Sequence, residues 1–248
     1  MQSFAKLTLA FAAALAASSA HAIDADAAGV DTFAVTDDPA YNPMLFPMSA
    51  RPYGASLTTW AERETAWLYS IPAQRNPQLD QTGAFCHVGQ AGPVWFLPPI
   101  DGPNVMDQSR TCTIPRGRAI LLDIGHVAPL YPCPNRAPDP GESIAHFLFR
   151  RSLVTMSSVD LLDVSLDGQP VQNVLHHRFI SDNPFVLKGE TSLATSLNAC
   201  ITGGWQAASA DGFFMMFRPL APGQHTIVVH GTNTFGDDKT YRYHITQL

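Results

Sequence analysis

The clearest candidates for chemistry are an aspartate and a histidine at the end of an apolar, strand-like run. Asp123 and His126 follow the apolar residues 119–122, and the chain then enters a loop rich in proline. Histidine titrates near neutral pH, and a carboxylate beside it orients the ring and stabilises its charged form. The pair is therefore a candidate for acid–base chemistry, and His126 is also a candidate for metal binding. A loop histidine bonded to the backbone is the plainer alternative.

The spacing of this pair sets a geometric condition. Three residues apart on a straight strand, the two side chains face opposite ways and lie about 10 Å apart. They can reach each other only if the chain bends between them. Gly125 lies at the required place and tolerates the positive φ that such a bend can use.

Two further polar residues complete the candidate set. Gln90 lies between glycines in a segment whose backbone N–H groups and side-chain amide could meet a ligand, although a tight turn explains the same residues. Arg110 comes two residues before a cysteine. Convergence of Gln90 and Arg110 with His126 and Asp123 in one cleft would indicate an enzyme. An open sheet face with exposed aromatic side chains would indicate a binding protein.

Established catalytic and metal-binding patterns are absent. The chain has no G-x-S-x-G, no H-E-x-x-H and no phosphate-binding G-x-x-x-x-G-K-[ST] motif. It has no C-x-x-C pair, and the neighbours His176 and His177 would point to opposite faces of a strand. We therefore expect no metal and no cofactor. One alternative is that cleavage after Ala20 leaves His21 as the amino terminus. Its amine and ring could then hold copper with a second histidine, as in copper-dependent polysaccharide monooxygenases.

The first 22 residues have the pattern of a secretory signal peptide. Lys6 precedes an apolar run of about 11 residues, and the segment ends on Ala20-His21-Ala22. A membrane span needs roughly 20 apolar residues, so we expect a cleaved leader and a secreted or periplasmic protein that does not span the membrane. The chain carries 15 basic and 21 acidic residues and no basic stripe. Nucleic acid is therefore an unexpected partner.

The four cysteines predict disulfides. An even number of cysteines in an exported chain usually forms a disulfide framework. Three pairings exist for four cysteines. We favour Cys86–Cys112 together with Cys133–Cys200, because the first pair flanks one short block of sequence.

The remaining pattern predicts a mainly β fold. Residues 56–70 form the one clear helix, with Ser56 as its cap and an apolar stripe that includes Trp60, Glu64 and Trp67. Packing against a sheet is the expected role of the two tryptophans, with a sugar platform as the alternative. Short strands with Gly and Pro turns follow, and they favour a β-sandwich, with a jelly roll as one form of it. Among them we expect a hairpin of residues 109–114 and 118–124 and a turn at Asp211-Gly212. We predict a leader at 1–22, an irregular arm at 23–55 and one sandwich domain at 56–248.

Several different short motifs are spread over most of the chain after the leader. They are Trp60 and Trp67, Ile71-Pro72, Asn76-Pro77, Asp80, Gly83, Cys86, Gly89-Gln90, residues 92–97, Arg110 with residues 112–115, Asp167-Gly168, Asp211-Gly212 and residues 220–227. In these motifs the chain resembles a functionally uncharacterised family of bacterial exported proteins. The resemblance implies a shared fold and no activity. The similar proteins tend to carry an asparagine-bearing segment where this chain has Gly125-His126, so the resemblance gives His126 no role.

Two classes of function therefore stay open. The first is a binding or cell-envelope-associated module that takes a small molecule or a glycan. The second is a secreted hydrolase or lyase that uses aspartate and histidine as acid and base.

Overall fold

The computed structural model describes residues 42–100 and 107–248. The predicted leader, His21 and residues 23–41 of the predicted arm lie outside the described residues. Of the arm, residues 44–46 pair with the strand that contains Phe217. Leu45 forms an isolated bridge with Phe217, and the Phe46 N–H donates to the carbonyl of Met216 at 2.9 Å.

Twelve strands and two α-helices are found in the described residues. The strands are β1 (Val94–Leu97), β2 (Asp107–Ile114), β3 (Ala119–Val127), β4 (Leu130–Tyr131), β5 (Val159–Leu166), β6 (Gln169–Pro170), β7 (Arg178–Ile180), β8 (Phe185–Lys188), β9 (Trp205–Ala208), β10 (Asp211–Phe217), β11 (Gly223–Asn233) and β12 (Asp238–Gln247). The helices are α1 (Leu57–Tyr69) and α2 (Ile144–Met156). The predicted mainly β fold is confirmed.

These strands form three sheets. The strand orders are β1-β3-β10-β7, β2-β12-β11-β5-β6 and β4-β9-β8. The pairs β1–β3 and β2–β12 are parallel and the other pairs are antiparallel. We call the first sheet the central sheet, because one of its faces packs on the second sheet and the other packs on α1.

Alternation along β3 builds both of these layers. Ile120 and Leu122 point into the core shared with the second sheet, where they meet residues such as Ile227 and Tyr243. Leu121 points the other way and packs under α1. A strand that is apolar on both faces is what a covered central sheet requires. Residue 123 has the parity of Leu121, so the fold turns Asp123 toward α1.

Helix α1 begins and packs as the sequence predicts. The Ser56 hydroxyl accepts a hydrogen bond from the backbone N–H of Thr59 at 3.1 Å, which is a standard N-terminal cap. Trp60 is buried, and its indole N–H donates to the carbonyl of Pro52 at 2.9 Å. Trp67 is partly buried against Phe96, with 5.2 Å between ring centroids. Both tryptophans pack against the protein, so neither is an exposed sugar platform.

Three local features differ from the sequence expectations. Helix α2, capped by Ser143, has no counterpart among the predicted elements. Strands β2 and β3 lie in different sheets, so the predicted hairpin between them is wrong. Asp211 and Gly212 begin β10 and do not form the predicted turn. Neither of the two α-helices in the described part of the chain is long and apolar enough to span a membrane.

Candidate functional site

Asp123 and His126 meet because β3 contains a bulge. Phe214 on β10 lies opposite Asp123, but the next residue, Phe213, lies opposite Gly125. Ile124 is therefore an extra residue on β3, and it reverses the alternation of side chains beyond it. Asp123 and His126 then share the face under α1, and Nδ1 of His126 lies 2.6 Å from Oδ2 of Asp123.

The bend between Asp123 and His126 does not come from Gly125, as the sequence predicted. Gly125 does not adopt a positive φ, so the change of direction comes from the bulge. The glycine that the arrangement needs is Gly212, opposite His126 on β10. A Cβ at Gly212 would lie 2.3 Å from Cβ of His126 and 2.6 Å from the carbonyl oxygen of Gly125. Gly212 thus gives His126 room to cross the neighbouring strand.

A third ionisable residue, Glu64, joins the pair from α1. Its side chain lies on the buried face of the helix and is 0% exposed. Glu64, Asp123 and His126 each offer one ligand atom such that all three atoms lie within 4.8 Å of one another. We call these three residues the buried triad. Both carboxylate oxygens of Glu64 and Oδ1 of Asp123 are buried and make no hydrogen bond within the described residues.

The electrostatics of the buried triad favour a charged histidine and a neutral glutamic acid. Burial acts to lower the pKa of His126, but the Asp123 carboxylate outweighs it and raises that pKa to about 9. Burial, followed by repulsion from Asp123, raises the pKa of Glu64 well above its usual range. Such strong mutual perturbation occurs at functional sites and in structural ion-pair networks alike.

A pocket of about 260 Å³ opens beside this cluster. His126 lies on its wall, together with Arg136 from the loop after β4 and Arg151 and Thr155 from α2. Tyr69 and Asn198 also line the pocket. No carboxylate lines it among the described residues. The side chain of His126 is only 3% exposed, so its imidazole is buried behind the pocket surface.

Internal bonds brace the walls of this pocket. Nδ2 of Asn198 donates to the carbonyl of Ala128 at 2.9 Å and to the hydroxyl of Tyr69 at 3.2 Å. The Cys133–Cys200 disulfide joins the segment before Arg136 to the segment after Asn198. The pocket is therefore largely pre-formed, as ligand sites commonly are.

The other two predicted site residues lie elsewhere and have structural contacts. The amide of Gln90 donates to the carbonyl of Phe96 at 2.7 Å and accepts from the N–H of Phe96 at 3.0 Å, which fixes the turn before β1. Arg110 is 1% exposed and donates to the carbonyls of Pro98 and Gln78 at 3.3 and 3.5 Å. Burial lowers its pKa. Neither residue joins the contact between Asp123 and His126.

The disulfides have the pairing favoured from the sequence. Cys86 is bonded to Cys112, which ties the loop before β1 to β2. Cys133 is bonded to Cys200 across 67 residues. All four cysteines are thus oxidised, which is typical of proteins from oxidising compartments.

Sequence reasoning missed Glu64 as a partner of Asp123 and His126, although a signal was present. Glu64 lies on the apolar stripe of α1, in line with Trp60 and Leu68, where a charged side chain must be buried. Glu62, two residues earlier, is only half-buried. A lone carboxylate on a packing face was therefore the pointer to this cluster.

Comparisons with known proteins add no family. No protein-family model matches the chain, and neither does any curated protein. The crystal structure of the cysteine protease inhibitor EhICP2 from Entamoeba histolytica is 10% identical and covers 62% of this chain and 96% of its own, with a TM-score of 0.24. The solution structure of Amebosin is 12% identical and covers 59% of this chain and 100% of its own, with a TM-score of 0.19. The resemblance to bacterial exported proteins therefore stays a prediction.

Proposed function

We propose that this protein is an exported binding module that takes a small anionic molecule, such as an acidic sugar, in the pocket of Arg136 and Arg151. The observation that supports this proposal is the charge of the pocket. Two guanidinium groups and no carboxylate are found among the described residues that line it. Among the described residues, neither arginine forms a salt bridge. Guanidinium groups bind carboxylates and phosphates through paired hydrogen bonds, which suits them to this ligand class.

Size and position support a small ligand. At about 260 Å³ the pocket is slightly smaller than the usual range for small-molecule sites, which begins at about 300 Å³. Arg151 is half-buried on α2 and lies 5.9 Å from the ring of Phe147. Arg136 is exposed at the rim. An anion bound between the two arginines would replace its hydrogen bonds to water with hydrogen bonds to two charged donors. The Cys133–Cys200 disulfide already restrains the chain at this site.

The test is calorimetric titration with glucuronate, glucose and inorganic phosphate. We expect glucuronate to bind and glucose to bind at least about tenfold more weakly, because a hydrogen bond to a charged group contributes about 1.5–3 kcal/mol. Arg151→Gln should weaken binding by roughly tenfold or more, and Arg136→Gln by less because water screens its charge. Binding should also fall as salt rises.

Arg116→Gln is the matched control. This arginine is exposed in the turn between β2 and β3, away from the pocket, and its loss makes the same change in net charge. Equal binding of glucose and glucuronate would contradict the proposal. So would unchanged glucuronate binding in the Arg136→Gln, Arg151→Gln double variant. Phosphate binding without glucuronate binding would show that the pocket binds anions but would exclude an acidic sugar as its ligand.

Acid–base catalysis is the second candidate, and the 2.6 Å contact between His126 and Asp123 favours it. Burial of the imidazole is evidence against acid–base catalysis, because a general base must reach the proton that it removes. Hydrolase or lyase activity would appear as cleavage of oligouronides followed over time. Cleavage that is lost in His126→Gln and kept in Arg116→Gln would favour the enzyme over the binding module as the function of this protein.

Export is supported by the two disulfides in the described residues. Mass spectrometry of the protein recovered outside the cytoplasm should give Ile23 as its first residue and no free thiol. An amino terminus at His21 would instead support the copper alternative, which titration with Cu²⁺ then tests. Retention of residues 1–22 in the mature protein would contradict the leader.

A further inference from the structure

Three oxygen atoms of the buried triad have no hydrogen-bond partner among the residues that the structure describes. They are both carboxylate oxygens of Glu64 and Oδ1 of Asp123, and they make no hydrogen bond within the described residues. Both side chains are 0% exposed. Buried polar atoms in folded proteins nearly always have a partner, and an unpaired buried carboxylate is costly. In the described part of the chain these three oxygens therefore have no hydrogen-bond donor, although the ring of His126 lies beside the other oxygen of Asp123.

The neighbouring donors are already engaged. Nδ1 of His126 lies 2.6 Å from Oδ2 of Asp123, and its Nε2 lies 3.4 Å from the hydroxyl of Thr65. The hydroxyl of Thr65 in turn donates to the carbonyl of Ala61 at 2.9 Å. None of these contacts supplies a partner for Glu64.

We infer that Glu64, Asp123 and His126 bind a divalent transition-metal ion, with Zn²⁺ as its representative. One ligand atom from each residue lies within 4.8 Å of the other two. Ligand atoms of a tetrahedral zinc ion with bonds of about 2.1 Å are roughly 3.4 Å apart. Side-chain rotations that change the separations of these atoms by up to about 1.4 Å would therefore close the ligand set around one ion.

The donor set indicates the class of ion. One imidazole nitrogen with two carboxylate oxygens suits Zn²⁺ or Mn²⁺, whereas Ca²⁺ and Mg²⁺ prefer all-oxygen sites. An ion would displace the protons that His126 and Glu64 hold in its absence, and the two carboxylates would then balance its double positive charge. Elements α1 and β3 hold the ligands and the bulge in β3 aims His126, so the site rests on regular structure that is packed from both sides.

This site is independent of the proposed anion pocket. Its ligands come from α1 and β3, whereas the arginines come from α2 and the loop after β4. His126 lies on the wall of the pocket, which gives an ion a way in from solvent. Failure of glucuronate binding would leave the metal site untouched, and failure of metal binding would leave the arginines in place.

The experiment begins with the full chain exported from its host, treated with a chelator and dialysed. Calorimetric titration with Zn²⁺, Mn²⁺, Ca²⁺ and Mg²⁺ should show one tight equivalent of Zn²⁺ per chain and, at most, weak binding of Ca²⁺ and Mg²⁺. Glu64→Gln and Asp123→Asn should each weaken Zn²⁺ binding by at least about 100-fold, because a neutral amide is a poor substitute for a carboxylate ligand. Substitution with Co²⁺ should give a visible absorption spectrum in the native chain that Glu64→Gln loses.

Two control variants separate this site from surface binding. Glu62→Gln removes the same charge from the same helix at a half-buried position outside the cluster. His230→Gln tests a surface histidine whose ring nitrogens lie 3.8 Å from Asp163 and 2.9 Å from Asp238. Both variants should keep the tight equivalent. Circular dichroism of each variant confirms that it is folded.

Several results would overturn the inference. They are the absence of a tight equivalent of Zn²⁺ or Mn²⁺, tight binding that survives in folded Glu64→Gln, and tight binding that disappears with His230→Gln. A further one comes from infrared spectroscopy. A protonated-carboxyl band that Glu64→Gln removes, and that persists in excess Zn²⁺, would show that a shared proton fills the cluster.

Discussion

Replacing Gly212 by alanine should damage the site by pushing on the strand that carries His126. The added Cβ would lie 2.3 Å from Cβ of His126, 2.6 Å from its Cα and 2.6 Å from the carbonyl oxygen of Gly125. Two of these atoms belong to the backbone, so no side-chain rotation relieves the overlap. Overpacking of this kind costs about 1–3 kcal/mol, and the backbone contacts put this case near about 3 kcal/mol. For a chain of this length that lowers Tm by roughly 6–12 °C.

Gly125→Ala in the same bulge is the matched control. No atom lies within 4 Å of a Cβ at Gly125, and its φ is not positive. Alanine there should leave the free energy of unfolding unchanged or raise it by up to about 1 kcal/mol, because it restricts the unfolded chain. Urea and thermal unfolding followed by circular dichroism measure both variants. If Gly125→Ala is as harmful as Gly212→Ala, the bend depends on Gly125 and the bulge is not its cause.

Three further outcomes are expected. Trp60→Ala should cost about 3–5 kcal/mol in urea unfolding, and a loss below about 1 kcal/mol would show that its ring is not packed. Removing the Cys133–Cys200 disulfide by double serine substitution should cost roughly 4.4 kcal/mol, because it frees a long loop in the unfolded chain; no change in the urea midpoint would contradict this. Burial acts to raise the pKa of Asp80, but hydrogen bonds from Phe85 and Thr82 outweigh it and leave that pKa lowered. The stabilisation from Asp80 is therefore complete above its unfolded pKa of 3.8 and disappears as pH falls through the lower folded pKa. Urea unfolding between about pH 5 and 2.5 should show a smaller loss of stability for Asp80→Asn than for the native chain, and equal losses would refute it.

Local patterns were sufficient for the features that depend on nearby residues. Ser56 and the spacing of Trp60 and Leu68 predict helix α1, because capping and periodicity act within a few turns. Asp167 and Gly168 predict the turn between β5 and β6, and both adopt the positive φ that such a turn needs. Alternating short strands predict the sandwich because each strand must bury one face.

Features that depend on distant partners were not predicted. The bulge at Ile124 exists only in the pairing of β3 with β10, about 90 residues away along the chain, so no local pattern encodes it. The placement of β2 and β3 in different sheets depends in the same way on which strand each one meets. Helix α2 was not predicted for another reason, since its segment follows a proline-rich loop and lies in a region where the pattern favours short strands.

The buried triad is difficult to explain as packing alone. Glu64 occupies a position between Trp60 and Leu68 on the face of α1 that meets apolar side chains. An apolar side chain of similar size there would avoid the cost of removing a carboxyl group from water, and replacing buried charged groups in this way is often neutral or stabilising. Asp123 likewise lies within β3, directly after four residues that are apolar on both faces of the strand. Glu64 and Asp123 are thus buried where apolar side chains would be less costly, and a bulge and a glycine bring His126 to them. A bound ion would supply the interaction that the protein atoms leave open.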